Sequence, residues 1–296
     1  MNQWNDSTAS DVDNDGVVGV DATVGRFLWL SDIHLDPYYG TENATGHANC
    51  FHLSSSPLYG QLGCDAPEYL VRHVLKHAAA VIPTPDFIIL TGDLCRHGTG
   101  NLKKPMQETQ AILHNITDLI RSKLGRNISI VPSLGNNDVT PDYFLDVQNP
   151  TEILEMTTNG LRDVLESDAE QSTFRAGGYL ARNITNLLTV LSLNTLLYAT
   201  AHHPDQSELP DPLDQFTWLK KQLAIAQAAK RKVYVVGHIP PALGSYRHTQ
   251  LWHESYARQY YTILDQYNGV IVGQFFGHLH SDEFRLIRLN DGVSDG

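Results

Sequence analysis

Basic side chains are scarce in this sequence. Its 296 residues include 21 lysines and arginines against 33 aspartates and glutamates, a formal net charge of -12 at pH 7. Proteins that grip nucleic-acid backbones neutralise the phosphates with clustered lysine and arginine, so nucleic acid is not an expected partner. A small phosphorylated substrate is still compatible with this balance, because bound divalent cations reverse the charge of a site locally.

Long hydrophobic stretches are missing as well. No apolar run reaches the length of about 18 residues that a membrane-spanning helix needs, so no transmembrane segment is expected. The first residues, "MNQWNDSTASDVDNDG", contain no hydrophobic core of a signal peptide. The composition is otherwise that of a globular protein, with 42% hydrophobic and 18% charged residues.

Cysteine is rare, and its three positions are informative. Cys50 and Cys64 bracket a polar, glycine-rich loop, which favours a disulfide formed in an oxidising compartment over two free thiols. Cys95 is left over and is expected to be a buried free thiol. Five Asn-x-Ser/Thr sequons, a number that chance would supply in part, occur at Asn5, Asn43, Asn115, Asn127 and Asn183. We expect a glycoprotein that is secreted or lies in a lysosome or vacuole, with its leader outside this chain.

The N-terminal segment differs from the rest. Residues 1–25 are acidic, glycine-rich and poor in large apolar side chains, which predicts a flexible extension. Within it, "DVDNDGVVGVDA" from Asp11 to Ala22 resembles an EF-hand loop, but Ala22 stands where a bidentate glutamate is needed. A solvated acidic tail is favoured, and calcium binding stays open. Residues 26–296 are expected to form one catalytic domain.

From Arg26 onwards, short apolar runs alternate with longer helical patterns, which indicates a layered α/β domain. The predicted strands are "RFLWLSD", "DFIILTGD", "ISIVPSLGN", "LLTVLSLNT", "KVYVVGH", "GVIVGQFFGH" and "EFRLIRL". The predicted helices are Pro67 to Ile82, Met106 to Leu124, Thr151 to Leu165, Leu213 to Lys230 and Glu254 to Tyr267.

Polar side chains close five of these strands, which end in "SDIH", "TGD", "LGNND", "VGH" and "FGHLH". In open α/β sheets, ligands bind beyond the carboxyl ends of the strands, where the loops converge. The candidate metal ligands at these ends are Asp32, His34, Asp93, Asn136, His238, His278 and His280. Imidazole and carboxylate groups suit Zn²⁺, with iron or Mn²⁺ as alternatives. Seven ligands are too many for one tetrahedral ion and fit two ions that share a carboxylate.

The longer motifs resemble a known superfamily. "SDIHLDPYYG", "DFIILTGD", "LSLNT", "QFTWLKKQL", "GHIPP" and "GQFFGHLHSDEFRL" are distributed over residues 26–289. They are similar to the calcineurin-like metallophosphoesterases, and within them to the acid sphingomyelinase-like phosphodiesterases and the endopolyphosphatases. The resemblance implies a metallo-dependent phosphatase-like α/β fold of four layers, with a central β-sandwich flanked by helices.

The same resemblance implies two divalent metal ions. The first would be bound by Asp32, His34, Asp93 and His280. The second would be bound by Asp93, Asn136, His238 and His278, so that Asp93 bridges the pair. Two ions about 4 Å apart can activate a bridging water as hydroxide while they hold the phosphoryl oxygens.

One residue departs from the superfamily pattern. The turn usually reads Gly-Asn-His before an acid, and that histidine helps to protonate the leaving oxygen, whereas this chain has Asn137 there. Asparagine donates a hydrogen bond but cannot act as an acid. The acid sphingomyelinase-like enzymes have a second catalytic histidine four residues after the bridging aspartate, and His97 occupies that place. His97 and Asn137 are therefore the candidate catalytic residues. Arg96 is a candidate phosphate ligand, with a structural salt bridge as an equal alternative.

Three functions are open on this reasoning. The leading hypothesis is a monomeric, dinuclear metal-dependent phosphodiesterase of the acid sphingomyelinase-like kind. Its substrates would be phosphodiesters or phosphoanhydrides, such as a nucleotide or a phospholipid head group. The enzymatic alternative is an endopolyphosphatase acting on polyphosphate, which "GNNDV" and "RHG" favour. The non-enzymatic alternative is a pseudo-phosphoesterase that binds a phosphorylated ligand without turnover, which the loss of a histidine at Asn137 favours.

Overall fold

Two β-sheets form the centre of the fold. The computed structural model describes residues 25–44, 50, 57–245 and 248–287. The first sheet is parallel throughout, in the order β1 (Phe27–Leu30), β2 (Phe87–Leu90) and β3 (Ser129–Pro132). The second sheet has the order β4 (Leu180–Asn183), β5 (Leu188–Ser192), β6 (Lys232–Val236) and β7 (Ile271–Phe275). In this sheet β4 runs antiparallel to β5, and the other neighbours are parallel.

Helices cover these sheets. In the described ranges they are α1 (Glu68–Val81), α2 (Pro105–Leu124), α3 (Thr151–Gly160), α4 (Asp168–Gly177), α5 (Gln215–Ala228) and α6 (Glu254–Gln266). The first four form a row in which each helix contacts the next, and α4 also reaches β4. Helix α5 lies on β5 and β6. Among the residues described here, none of the helices combines the length and the apolar character needed to cross a membrane.

One hydrophobic core joins both sheets. Strand β2 reads "FIIL" and is buried at every position, as expected for a central parallel strand covered on both faces. The Phe27 ring of β1 stacks on Phe87 of β2 and contacts Phe275 of β7 at 5.4 Å between ring centroids. The hydroxyls of Ser133 and Ser192, just after β3 and at the end of β5, lie 2.9 Å apart. The α/β class predicted from the sequence is confirmed.

The predicted elements agree with the structure apart from four differences. The predicted helix from Thr151 to Leu165 ends at Gly160 and is followed by a 3-10 turn, Arg162–Val164. Helix α4 and strand β4 were not predicted. The segment "EFRLIRL" was expected to be a strand, but its described part, residues 283–287, has no regular structure. The EF-hand-like loop and the sequon at Asn5 lie outside the described residues.

The start of α4 offers a test of local stability. The Ser167 hydroxyl caps the helix by accepting the Glu170 backbone N–H at 3.2 Å. We expect Ser167→Ala to lower the free energy of unfolding by about 1 kcal/mol, because the first-turn N–H groups lose a side-chain acceptor. Urea unfolding would measure this change. The matched control is Ser172→Ala in the same helix, where alanine is expected to be neutral or slightly favourable; equal losses in both variants would contradict the capping role.

Candidate metal centre

The predicted metal ligands lie together at the carboxyl ends of five parallel strands. Two groups of side chains have ligand atoms within 4.8 Å of one another, and Asp93 belongs to both. The first group is Asp32, His34, Asp93 and His280. The second is Asp93, His238 and His278. This is the pairing that the resemblance implies, with both sheets contributing residues.

Contacts within the first group are short. Nε2 of His34 lies 3.1 Å from Nε2 of His280 and 3.7 Å from Oδ2 of Asp93. Nε2 of His280 is 3.4 Å from Oδ1 of Asp32. Two imidazoles cannot face each other at such a distance with N–H on both Nε2 atoms, so at least one presents a lone pair. Imidazole nitrogens and carboxylate oxygens that face one point are the ligands that a borderline divalent ion prefers.

The second group is completed by Asn136. Nε2 of His238 lies 3.2 Å from Oδ2 of Asp93, 3.1 Å from Oδ1 of Asn136 and 3.2 Å from Nδ1 of His278. His238 and Asp93 are almost wholly buried. A single carboxylate therefore contacts histidines of both groups, as a bridging ligand would.

The backbone at these residues is strained. Asp32, His34, Asp93, His278 and His280 all have a left-handed backbone, with φ between 45° and 75°. For residues with a Cβ atom this conformation costs on the order of 1–3 kcal/mol each and persists where the surroundings enforce it. Five strained residues in one place show that the fold holds these side chains against local preference, which is typical of a functional site.

Two glycines make the close approach possible. A Cβ at Gly135 would lie 2.1 Å from Oδ1 of Asp93, and one at Gly277 would lie 2.5 Å from Oδ2 of Asp32. The loops after β3 and β7 can therefore reach these carboxylates only without a side chain at those positions.

Outer contacts orient two of the imidazoles. Nδ1 of His34 lies 3.1 Å from the Cys95 carbonyl, and Nδ1 of His238 lies 2.7 Å from the Thr91 carbonyl. A carbonyl only accepts, so each Nδ1 carries a proton, and Nε2 is the nitrogen that each ring turns towards the site. Asp138, which follows Asn137 in the same turn, has a carboxylate that accepts the N–H groups of Leu94, Cys95 and Gly135. These hydrogen bonds to the Asp138 carboxylate connect the loop after β2 with the loop after β3.

The electrostatics of the site differ from one histidine to the next. Burial lowers the pKa of His278 to about 4, so its imidazole is neutral at pH 7 and can bind a metal. Burial also opposes charge on His238, but the neighbouring Asp93 carboxylate outweighs it and raises the pKa of His238 to about 9. Burial acts to raise the pKa of Asp93, yet the nearby His238 and His34 hold it well below its usual range. The Asp93 carboxylate is therefore ionised at pH 7 and favours a cation beside it.

Asn137 is a buried neighbour of the predicted ligand Asp93. Its backbone N–H donates to Oδ1 of Asp93 at 2.8 Å, and its side-chain Nδ2 donates to Oδ2 at 2.7 Å. Only 1% of Asn137 is exposed. The side chain therefore orients the shared carboxylate, and this contact gives an asparagine a role that needs no proton transfer.

Asn137→Ala tests this contact. We expect kcat/KM and metal retention against a competing chelator to fall by about 10–100-fold, because Asp93 loses one of its two donors from this residue. Asn149→Ala, at an exposed turn, is the control. Unchanged metal retention in Asn137→Ala would show that Asp93 does not depend on the amide.

His97 stands at the open side of the first group. Its ring stacks on His34 with centroids 4.2 Å apart, and 51% of its side chain is exposed. Nδ1 of His97 lies 2.8 Å from Oδ1 of Asp65, and this hydrogen bond raises the pKa of the imidazole. Asp65 was not predicted, although it directly follows Cys64, which forms a disulfide with Cys50. Cys95 is a free thiol and is buried.

For Arg96 the structure shows the salt bridge, one of the two roles that the sequence left open. Arg96 was a candidate phosphate ligand, but its side chain is only 4% exposed and its Nη1 pairs with Asp36 at 3.0 Å. The same guanidinium donates to the carbonyls of Asn43 and His97. With these partners it is not available to a substrate, and it braces the loop that carries His97.

A cavity of about 260 Å³ opens beside the second group. Small, apolar and uncharged polar residues line it, among them Tyr143, Thr200, Ile239 and Thr249, with His278 at one wall. The described lining contains no lysine or arginine. The cavity is therefore suited to an uncharged group held next to the metal ligands.

Comparison with known proteins gives a consistent result. The family model described as Calcineurin-like phosphoesterase matches residues 25–282. Mouse (Mus musculus) acid sphingomyelinase-like phosphodiesterase 3b is 31% identical over 287 residues, which cover 94% of this chain and 61% of that protein. An endopolyphosphatase of Neurospora crassa is 31% identical over 277 residues, covering 88% of this chain and 37% of that protein. The chain thus spans less than two thirds of the length of both curated relatives.

Among solved structures, a dimetal phosphatase from Danio rerio has a TM-score of 0.55, covering 87% of this chain and 82% of that one. The sequences are only 10% identical, so this likeness concerns the fold alone. It confirms the predicted fold class, an α/β arrangement of the metallo-dependent phosphatase type.

Proposed function

Because the chain belongs to the calcineurin-like phosphoesterase family, we propose that it is a metal-dependent hydrolase of phosphodiester bonds in small substrates. The observation that carries this proposal is the pair of ligand groups that share the buried Asp93. The donor set fits two divalent ions, with carboxylate, amide and imidazole atoms on two neighbouring points. We propose zinc, with iron or manganese as alternatives.

The residues around the ions have separable roles. When bound, the two ions supply a strong nucleophile at neutral pH and neutralise charge on the phosphoryl oxygens. Asp32, His34, Asp93 and His280 would hold one ion. Asp93, Asn136, His238 and His278 would hold the other. His97, half-exposed beside the first group, would give a proton to the leaving oxygen.

The cavity beside His278 favours a diester over polyphosphate. Polyphosphate carries negative charge on every unit, and a channel for it needs several cationic side chains. The described lining of this cavity contains neither lysine nor arginine, and Arg96 is buried against Asp36. The larger cavity of about 1080 Å³ beside the first group has one arginine, Arg285, which is paired with Glu283. An uncharged nucleoside or alcohol portion of a diester matches the lining beside His278 better. Endopolyphosphatase activity remains the second candidate, because the Neurospora crassa relative bears that name.

The disulfide and the sequons bear on the cellular compartment. The Cys50–Cys64 disulfide requires oxidising conditions. The sequon asparagines Asn43, Asn127 and Asn183 are exposed. We therefore propose a monomeric glycoprotein that is secreted or lies in a lysosomal or vacuolar lumen, with residues 26–296 as its catalytic domain.

A substrate panel tests the function. Protein loaded with Zn²⁺, Mn²⁺ or Fe²⁺ would be assayed on a chromogenic phosphodiester, a nucleoside triphosphate and a long polyphosphate. We expect turnover of the diester, and its loss on chelation with recovery on adding metal back. Faster shortening of polyphosphate than diester hydrolysis would favour the second candidate. Metal binding without turnover of any substrate would favour the pseudo-phosphoesterase that the Asn137 substitution suggested.

A further inference from the structure

We propose that Asp65 is the positioning residue for His97. It holds the imidazole so that Nδ1 is always occupied and Nε2 is left to protonate the leaving oxygen. This inference rests on the proposed function, because it concerns the same reaction, and it adds a residue that the strand-end motifs do not include.

A single carboxylate fixes both the backbone and the ring of His97. Oδ2 of Asp65 accepts the His97 backbone N–H at 2.8 Å, and Oδ1 lies 2.8 Å from Nδ1 of the ring. A carboxylate accepts only, so Nδ1 is the proton-bearing nitrogen in this contact. With both contacts in place, the ring can neither rotate about its side chain nor exchange its two nitrogens without losing a charge-assisted hydrogen bond.

Asp65 is itself held on both sides. Cys64 before it is joined to Cys50 by the disulfide. Ala66 after it donates its N–H to the His34 carbonyl at 3.0 Å and accepts the Asp36 N–H at 2.9 Å. The segment therefore runs alongside the loop that carries a metal ligand. Only 10% of the Asp65 side chain is exposed, against 51% of His97, so the carboxylate is enclosed and the imidazole faces the open side.

The proton balance is simple. A protonated His97 has N–H groups at both nitrogens, one donated to Asp65 and the other directed to the substrate. When the bond from phosphorus to the leaving oxygen breaks, its electron pair stays on that oxygen, which takes the Nε2 proton. The ring is left neutral with Nδ1–H still bound to Asp65, and solvent restores the lost proton.

A third metal ion is the competing explanation. Ligand atoms of His34, Asp65 and His97 also lie within 4.8 Å of one another. However, Nδ1 of His34 faces the Cys95 carbonyl and its Nε2 faces Asp93 and His280, so both nitrogens are already engaged. Only two ligands would remain for such an ion, and the geometry points to a histidine–carboxylate pair instead.

The test uses Asp65→Ala and Asp65→Asn in the full chain loaded with Zn²⁺. Rates are measured on methyl aryl phosphodiesters whose leaving phenols range from para-nitrophenol to para-methoxyphenol. We expect Asp65→Ala to be slowed by roughly 10²-fold on the poorest leaving group and by only a few-fold on the best, as for loss of an acid. Asp65→Asn keeps an acceptor for Nδ1–H, so its rate on the poorest leaving group should lie between those of the unaltered protein and Asp65→Ala. Asp163→Ala removes the half-exposed partner of His114, and it is the matched control.

Three readouts separate the explanations. The double variant Asp65→Ala/His97→Ala should be no slower than His97→Ala, since the carboxylate acts through the ring; an additional loss would overturn the positioning role. Equal slowing of all esters by Asp65→Ala would also overturn it and leave Asp65 with a structural role. A drop in bound zinc in Asp65→Ala would make the residue a ligand. If the unaltered protein hydrolyses no diester, the proposed function itself fails.

Discussion

Replacing Asp93 by alanine is expected to remove both metal ions and to lower kcat/KM by about 10³-fold or more. The Asp93 carboxylate contacts His238 at 3.2 Å and His34 at 3.7 Å, so it is the side chain that the two ligand groups have in common. Metal ions supply several kcal/mol of charge stabilisation to phosphoryl transfer, and each 1.36 kcal/mol corresponds to a factor of ten in rate. No other single substitution in the site would affect both ions directly.

Metal content measured by mass spectrometry, together with kcat/KM on a phosphodiester, would check this expectation. Asp93→Asn keeps the shape of the side chain and would replace the alanine variant in these measurements if that variant does not fold. Asp118→Ala, on the exposed face of α2, is the control for removing an aspartate elsewhere. Retention of two ions per chain by both Asp93 variants would refute the shared-ligand assignment.

The position of the site could be predicted from sequence because of strand order. Each metal-competent residue follows a short apolar run, and parallel strands place the ends of such runs at one edge. The predicted ligands Asp32 and His280 are separated by most of the chain, yet the structure places Oδ1 of Asp32 and Nε2 of His280 3.4 Å apart. Strands β1 and β7 belong to different sheets, so this contact depends on the packing of the two sheets, in which Phe27 lies against Phe275, as well as on strand pairing within each sheet.

The supporting residues could not be predicted in the same way. Asp65 lies in a loop that does not follow a strand. Its role depends on a contact with His97, which is 32 positions further along the chain. Arg96 was open between two roles, and the decisive partner, Asp36, comes from a different loop. Sequence spacing carries no information on which of two polar side chains will be enclosed. The adjacency of Asp65 to a disulfide cysteine was the one available signal.

The missed elements have a physical cause as well. Helix α4 reads "DAEQSTFRAG", with Phe174 as its one large buried apolar side chain, so its apolar periodicity is weak. Strand β4 contains Arg182, which is buried because it pairs with Glu170 and Glu166 and donates to main-chain carbonyls. Tertiary contacts rather than local preference stabilise both elements.

His97→Ala is expected to slow the hydrolysis of esters with poor leaving groups by about 10²–10⁴-fold. An alkoxide leaving group needs a proton as its bond to phosphorus breaks, whereas a phosphate leaving from an anhydride is already a stable anion. Asn137 cannot supply that proton, and it is 1% exposed behind Asp93. His97 is half-exposed beside His34, so the loss should fall on esters and change anhydride hydrolysis by only a few-fold.

Single-turnover rates on a dialkyl phosphodiester and on a nucleoside triphosphate would separate the two cases, since chemistry is then observed without product release. His114→Ala, on the exposed surface of α2, controls for the removal of an imidazole. Equal losses on ester and anhydride would take the acid role away from His97. The proton would then have to come from solvent, and the uncharged cavity beside His278 would be the remaining source of an ester preference. The ratio of the two rates therefore decides whether a centre without the usual turn histidine is built for esters or for anhydrides.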